Sequence, residues 1–136
     1  VMLLSLTSCM PQWYTDAVIW ANDVGVVYGT TETTFDPSGI LSREQFCAII
    51  YRYAEKVRKL NLQEEFTLHG QASLGVFADK EEVSSYARDG IKYCMNFGCI
   101  SGFDENGKRY FKPKEGTTRA QMASVLMRFM KSQFYK

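Results

Sequence analysis

The chain repeats itself. Residues 13–29, WYTDAVIWANDVGVVYG, align without a gap with residues 86–102, YARDGIKYCMNFGCISG, so that Trp13 meets Tyr86, Trp20 meets Tyr93, Gly25 meets Gly98 and Gly29 meets Gly102. After a loop three residues longer in the second copy, residues 35–56 run against residues 111–132, matching Phe35, Pro37, Arg43, Gln45 and Arg52 with Phe111, Pro113, Arg119, Gln121 and Arg128. A unit used twice in this way cannot bury its apolar face alone, so the copies are expected to stack on each other.

Each unit reads as two helices with a loop between them. In the first helix Trp13, Ala17, Trp20, Ala21 and Val24 fall on one stripe at helical spacing, and the second copy repeats the stripe with Tyr86, Gly90, Tyr93, Cys94 and Phe97. Gly25 and Gly98 stand where a helix ends in a left-handed residue. The second helix opens with a capping box, Ser42-x-x-Gln45 in one copy and Thr118-x-x-Gln121 in the other. Its stripe follows as Phe46, Ile49, Ile50 and Tyr53, or Met122, Val125, Leu126 and Phe129, and these faces are expected to be core. Pro37 and Pro113 sit in the loops, where they interrupt no helix, and Phe35 and Phe111 plug those loops onto the bundle. The expected fold is therefore all-α, tandem helix-loop-helix repeats packed as a small bundle.

At 136 residues, 46% of them hydrophobic, the chain can bury one compact core. Sixteen basic residues against fifteen acidic ones leave a net charge of +1, with no Lys/Arg cluster for a nucleic acid or an anionic membrane. No apolar run reaches the roughly 18 residues that span a bilayer. Cys9, Cys47, Cys94 and Cys99 form no C-x-x-C pair, and the one histidine, His69, has no ligand spacing to them, so neither a metal nor another cofactor is expected. Cys47 and Cys94 occupy apolar positions and read as buried thiols. Asp104-Glu105-Asn106-Gly107 lacks the closing Glu of a calcium loop and reads as a turn. No nucleophile–base pair, metal triad or phosphate loop supports an enzyme.

The organisation expected from these signals is an apolar lead-in over residues 1–12, a unit over 13–57, a connecting loop over 58–76 and a second unit over 77–132. Within the lead-in, Leu6-Thr7-Ser8-Cys9 is similar to a lipobox but lacks the basic start of a lipoprotein signal; the plainer reading is an apolar segment beside Trp13.

The ordered set of elements resembles the S-layer homology family. The second copy carries Phe77-x-Asp79, Gly98-Cys99-Ile100-Ser101-Gly102, Phe111-x-Pro113 and Thr118-Arg119-Ala120-Gln121; the first carries Trp13 to Ala21, Gly25-Val26-Val27-Tyr28-Gly29, Phe35-x-Pro37 and Ser42-Arg43-Glu44-Gln45, without an opening F-x-D. The resemblance implies a helical domain, in full form three motifs around a pseudo-threefold axis, here with two visible. It further implies a non-catalytic module of exported bacterial proteins at the cell envelope, binding a secondary cell wall polysaccharide, often pyruvylated, in grooves between motifs. A third motif from the parent chain or another subunit is the further partner it implies. A self-assembly module and a structural spacer of a larger exported protein are the alternatives.

The candidate binding residues occur in equivalent pairs. Arg43 and Arg119 follow the capping hydroxyls of Ser42 and Thr118, where helix N–H groups and a guanidinium can together hold an anion. Alternatively each Arg pairs with a carboxylate of the neighbouring unit, such as Asp16 or Asp89, and locks the repeats. Trp13 and Tyr86 can stack on a sugar ring or simply begin the helix stripe. Gly29 and Gly102 let backbone N–H groups approach a ligand or make a plain turn. Gln45 and Gln121 complete the set through the capping boxes.

Overall fold

A computed structural model describes residues 12–31, 34–69 and 72–134. The lipobox-like segment ending at Cys9 lies outside them. Five α-helices make up most of the structure: α1 (Thr15–Asp23), α2 (Arg43–Lys56), α3 (Leu62–His69), α4 (Arg88–Asn96) and α5 (Arg119–Phe134). Three short 3-10 turns, at Leu74–Val76, Lys80–Glu82 and Ser85–Ala87, carry the chain from α3 into α4.

The helix boundaries follow local chemistry. Both capping boxes form: Ser42 and Gln45 exchange hydrogen bonds of 2.9 and 3.3 Å, and Thr118 and Gln121 exchange bonds of 3.0 and 3.1 Å. Each pair satisfies two backbone donors that the first helical turn leaves open. Gly25 (φ 79°) and Gly98 (φ 64°) adopt the left-handed conformation just past α1 and α4, as their sequence positions predict.

Two expectations need correction. The fold is not purely all-α, because the longer loop of the second unit forms a hairpin of β1 (Phe103–Glu105) and β2 (Lys108–Tyr110), with Phe103 opposite Tyr110. Asn106 (φ 50°) and Gly107 (φ 75°) make the tight turn, the backbone twist that matches a two-residue hairpin loop. Secondly, the connecting segment 58–76 contains α3. Asn61 Oδ1 accepts the Glu64 N–H at 3.2 Å, and Leu62 and Phe66, four residues apart, bring one face onto the core.

The core sits between the units. Helix α4 lies along α2 so closely that a Cβ at Gly90 would stand 2.8 Å from the Cys47 carbonyl oxygen. Tyr51 meets Tyr93 edge-on at 5.8 Å, and Cys47, Cys94 and Cys99 are all free and buried. Phe77, Phe111, Val125 and Phe129 complete the cluster. The stripe of α4 is thus core, apart from half-exposed Tyr86 and partly buried Phe97 at its ends, whereas on α5 Leu126, expected in the core, stays 44% exposed. The first-copy stripe is not: no residue of α1 is buried, and Trp20 stays 51% exposed where its counterpart Tyr93 has no exposure. Helix α4 of the second unit packs on α2 of the first, and it is this contact that buries the second-copy stripe.

Tyr93 brings a buried cost. Its hydroxyl has no hydrogen-bond partner among the described residues, and burial, aided by the Glu65 charge, pushes its pKa above the usual phenol range. Removing that hydroxyl in Tyr93→Phe is expected to raise the unfolding free energy by up to about 1 kcal/mol, measured by urea denaturation.

Candidate functional site

The loop between β2 and α5 crosses back over the start of α2 and joins the units. The Arg43 N–H donates to Glu115 O at 2.9 Å, the Glu44 N–H to Pro113 O at 3.1 Å, and the Thr117 N–H to Leu41 O at 2.8 Å. Asp79 holds the same loop from its other side, accepting the N–H of Phe111 (2.8 Å) and of Lys112 (2.7 Å). The aspartate of the F-x-D element is therefore a loop clamp here.

Arg43 lies under this loop. Its Nε donates to Phe111 O at 2.8 Å, and its guanidinium carbon stands 4.6 Å from the Phe103 ring centroid and 5.1 Å from that of Phe111. Only 6% of the residue is exposed, and burial lowers its pKa against the opposing pull of Cys47, Glu115 and Asp79. The expectation that Arg43 faces an external anion is corrected: the second unit's carbonyl and rings take the place of the ligand. It locks the repeats, through these groups and not through Asp16 or Asp89.

Glu44 is the second lock, and nothing in the repeat pattern marks it, since its counterpart is Ala120. Its carboxylate is 2% exposed as a residue and accepts from the Ser84 N–H (2.9 Å), the Ser84 hydroxyl (2.8 Å), the Tyr86 hydroxyl (3.3 Å) and Lys114 Nζ. Burial opposes its ionisation, but the hydrogen bonds from Lys114 and Ser84 together outweigh it, holding the pKa below the ordinary glutamate value.

An open cleft of about 560 Å³ lies beside these locks, between the first unit's loop and the start of the second unit. Of the candidate residues, Gly29, Gln45 and Tyr86 line it, together with Tyr28, Asp36 and Arg52. Arg52 is the one basic residue among the lining, stacked over the Tyr28 ring at 4.4 Å. In the sequence it stands out only as the residue matched with Arg128 of the second unit, and it was not among the candidate binding residues. Gly29 shapes the cleft wall, because a Cβ there would stand 2.0 Å from Thr34 O and block the loop closure made by Thr30 N–H to Thr34 O.

The remaining candidates stand apart from the cleft. Trp13 is 94% exposed, touching Tyr14 edge-on at 5.4 Å. Arg119, Thr118 and Gln121 sit at the start of α5, with Arg119 and Thr118 exposed. Gly102 (φ 82°) lets the chain pass Phe77 and the Tyr110 carbonyl, both of which a Cβ would strike. Among the described residues no group of His, Cys, Asp and Glu is placed to hold a metal, and no helix is long and apolar enough to cross a membrane.

The cleft lining combines aromatic rings, the Arg52 guanidinium and the Asp36 carboxylate. A family model described as S-layer homology domain matches residues 6–47 and 76–123. The Surface-layer 125 kDa protein of Lysinibacillus sphaericus is 29% identical over 116 residues, covering 85% of this chain and 9% of that protein. The Exoglucanase XynX of Acetivibrio thermocellus is 31% identical over 116 residues, covering 80% of this chain and 9% of that protein. An Endoglucanase of Bacillus sp. (strain KSM-635) is 29% identical over 115 residues, covering 84% and 11%. The chain thus spans 9% to 11% of the length of these relatives. No solved structure matched it.

Proposed function

The chain belongs to the S-layer homology domain family, and from that membership we propose that it binds an anionic secondary cell wall polysaccharide, such as a pyruvylated one, and so tethers a larger exported protein. Domains of this family anchor proteins at the cell surface and are non-catalytic. The observation that carries the ligand reading is the placement of Arg52 and Tyr28 beside Tyr86 in one cleft between the units. A guanidinium there can grip a carboxylate in two parallel hydrogen bonds while the tyrosine faces cover the apolar side of a pyranose. Gln45 adds little of its own, its amide oxygen being engaged with the Ser42 N–H. On the outer surface Arg119 offers a second cation and Trp13 a second aromatic face.

The relatives fit this reading: a surface-layer protein and two enzymes named for glucans each carry a similar segment over 9% to 11% of their length. Catalysis in those proteins then belongs to other parts of their chains. Arg52→Ala is expected to weaken binding to purified wall polymer about tenfold or more, the loss of one charge-assisted contact, in titration calorimetry with circular dichroism unchanged. Retained affinity in the folded variant, or equal capture of the parent chain by walls stripped of the polymer, sinks the proposal.

A further inference from the structure

A ring that stacks on a sugar serves best when it is already held, because a side chain immobilised only on binding loses its rotamer freedom, and that loss is subtracted from the affinity. Tyr86 is half exposed in the cleft, yet it is fixed at two points. Its hydroxyl donates to Glu44 Oε1 at 3.3 Å. Two residues before it, Ser84 donates its N–H to Glu44 Oε2 at 2.9 Å and its hydroxyl to Oε1 at 2.8 Å, so the backbone that carries the ring hangs from the same carboxylate. The Ser84 carbonyl in turn accepts the Ala87 N–H at 3.1 Å, closing the 3-10 turn Ser85–Ala87 around Tyr86.

The carboxylate is itself held. Glu44 is the second residue of α2, its N–H donates to Pro113 O at 3.1 Å, and Lys114 Nζ reaches both Glu44 Oε1 and Ser84 Oγ. Two turns further along the same helix stands Arg52, which lines the cleft with Tyr86. Glu44 therefore ties a ring of the second unit to the helix of the first unit that bears the guanidinium. Its counterpart in the second unit is Ala120, so α5 has no carboxylate at that place.

We propose that Glu44 is a positioning residue for saccharide binding: at 2% exposure it does not reach the ligand, but it sets the Tyr86 ring at a fixed place relative to Arg52, so that one sugar meets both. This rests on the cleft reading above and adds that the ring is in place before the ligand arrives. Lys114 faces Glu44 from the loop before α5, Ser84 and Tyr86 face it from the turns before α4, and Arg52 acts on Tyr86 from α2. Because the Glu44 carboxyl is held below its ordinary pKa, the anchor is complete at neutral pH and is lost as pH falls through that lowered value.

Two measurements test the role. Without ligand, NMR of ring-labelled tyrosine is expected to show the Tyr86 resonance shifting below the ordinary glutamate range in the parent chain. That low-pH step is expected to be absent from Glu44→Gln, which keeps an acceptor but no titrating charge. With purified wall polysaccharide at neutral pH, Tyr86→Phe keeps the ring and loses its hydroxyl anchor; calorimetry is expected to show binding about threefold to tenfold weaker, with the urea midpoint close to the parent's. A Tyr86→Phe chain that binds as tightly as the parent, while Arg52→Ala binds less tightly, overturns the positioning role and leaves the cleft reading standing. A parent Tyr86 resonance without the low-pH step overturns the role as well. A parent chain that does not bind the polysaccharide overturns both readings.

Discussion

Glu44→Ala is expected to lower the unfolding free energy by about 2 to 3 kcal/mol, a sizeable part of what a domain of this size holds. The substitution removes the acceptor for the Ser84 N–H and hydroxyl and for Lys114 Nζ at one stroke, and leaves those groups at the seam between the units. The Tyr86 hydroxyl loses its contact too, so one wall of the cleft is released with the core. Acid should imitate the mutation. A carboxyl held below its ordinary pKa contributes stability that is fully present above the unfolded value and is lost as pH falls through the folded one. Urea midpoints taken downward from neutral pH should therefore fall more steeply in the parent chain than in Glu44→Gln below the ordinary glutamate range. Parallel slopes would show that the carboxylate is not what joins the units.

Gly90→Val is expected to cost about 3 kcal/mol, at the upper end for an overpacked site. A side chain there meets the backbone of Cys47 and Ala48 at 2.8 to 3.1 Å, and backbone inside a helix cannot rotate out of the way. The usual gain from replacing a helical glycine, about 1 kcal/mol, is too small to offset it. The same change at the matched position, Ala17→Val on the exposed α1, should alter monomer stability by no more than about 0.5 kcal/mol. Thermal melts of the two variants at low concentration separate these expectations, and equal losses would mean that α1 is covered as α4 is.

Much of the fold was legible because it is written locally. The capping boxes at Ser42 and Thr118 and the glycines at 25 and 98 mark helix ends through backbone chemistry that needs no partner, and the structure follows them. Helix α3 escaped because it is eight residues long and only Leu62 and Phe66 betray its inner face. The hairpin was half seen: Asn106-Gly107 reads as a turn, but strands of three residues are too short for alternation to show. The seam was hidden for a different reason. A stripe of apolar residues tells which face of a helix turns inward, not which neighbour covers it, so Arg43 read as an anion site when a loop 68 residues along the chain lies over it. Arg52 was visible only as a repeat-matched residue, because nothing local in the sequence says that its side of α2 opens into a cleft.

The crossing of α4 onto α2 also sets a lower limit on how such a chain can arise. Neither unit holds its own two helices together as its main contact; the strongest burial belongs to the second helix of one and the first helix of the other. A solitary unit would be an ancestor with no interior, and repeats that are stable only through their neighbours gain nothing from being present singly. Each unit thus folds only in company, and the lock at the seam comes from one copy alone, Glu44 having Ala120 as its counterpart.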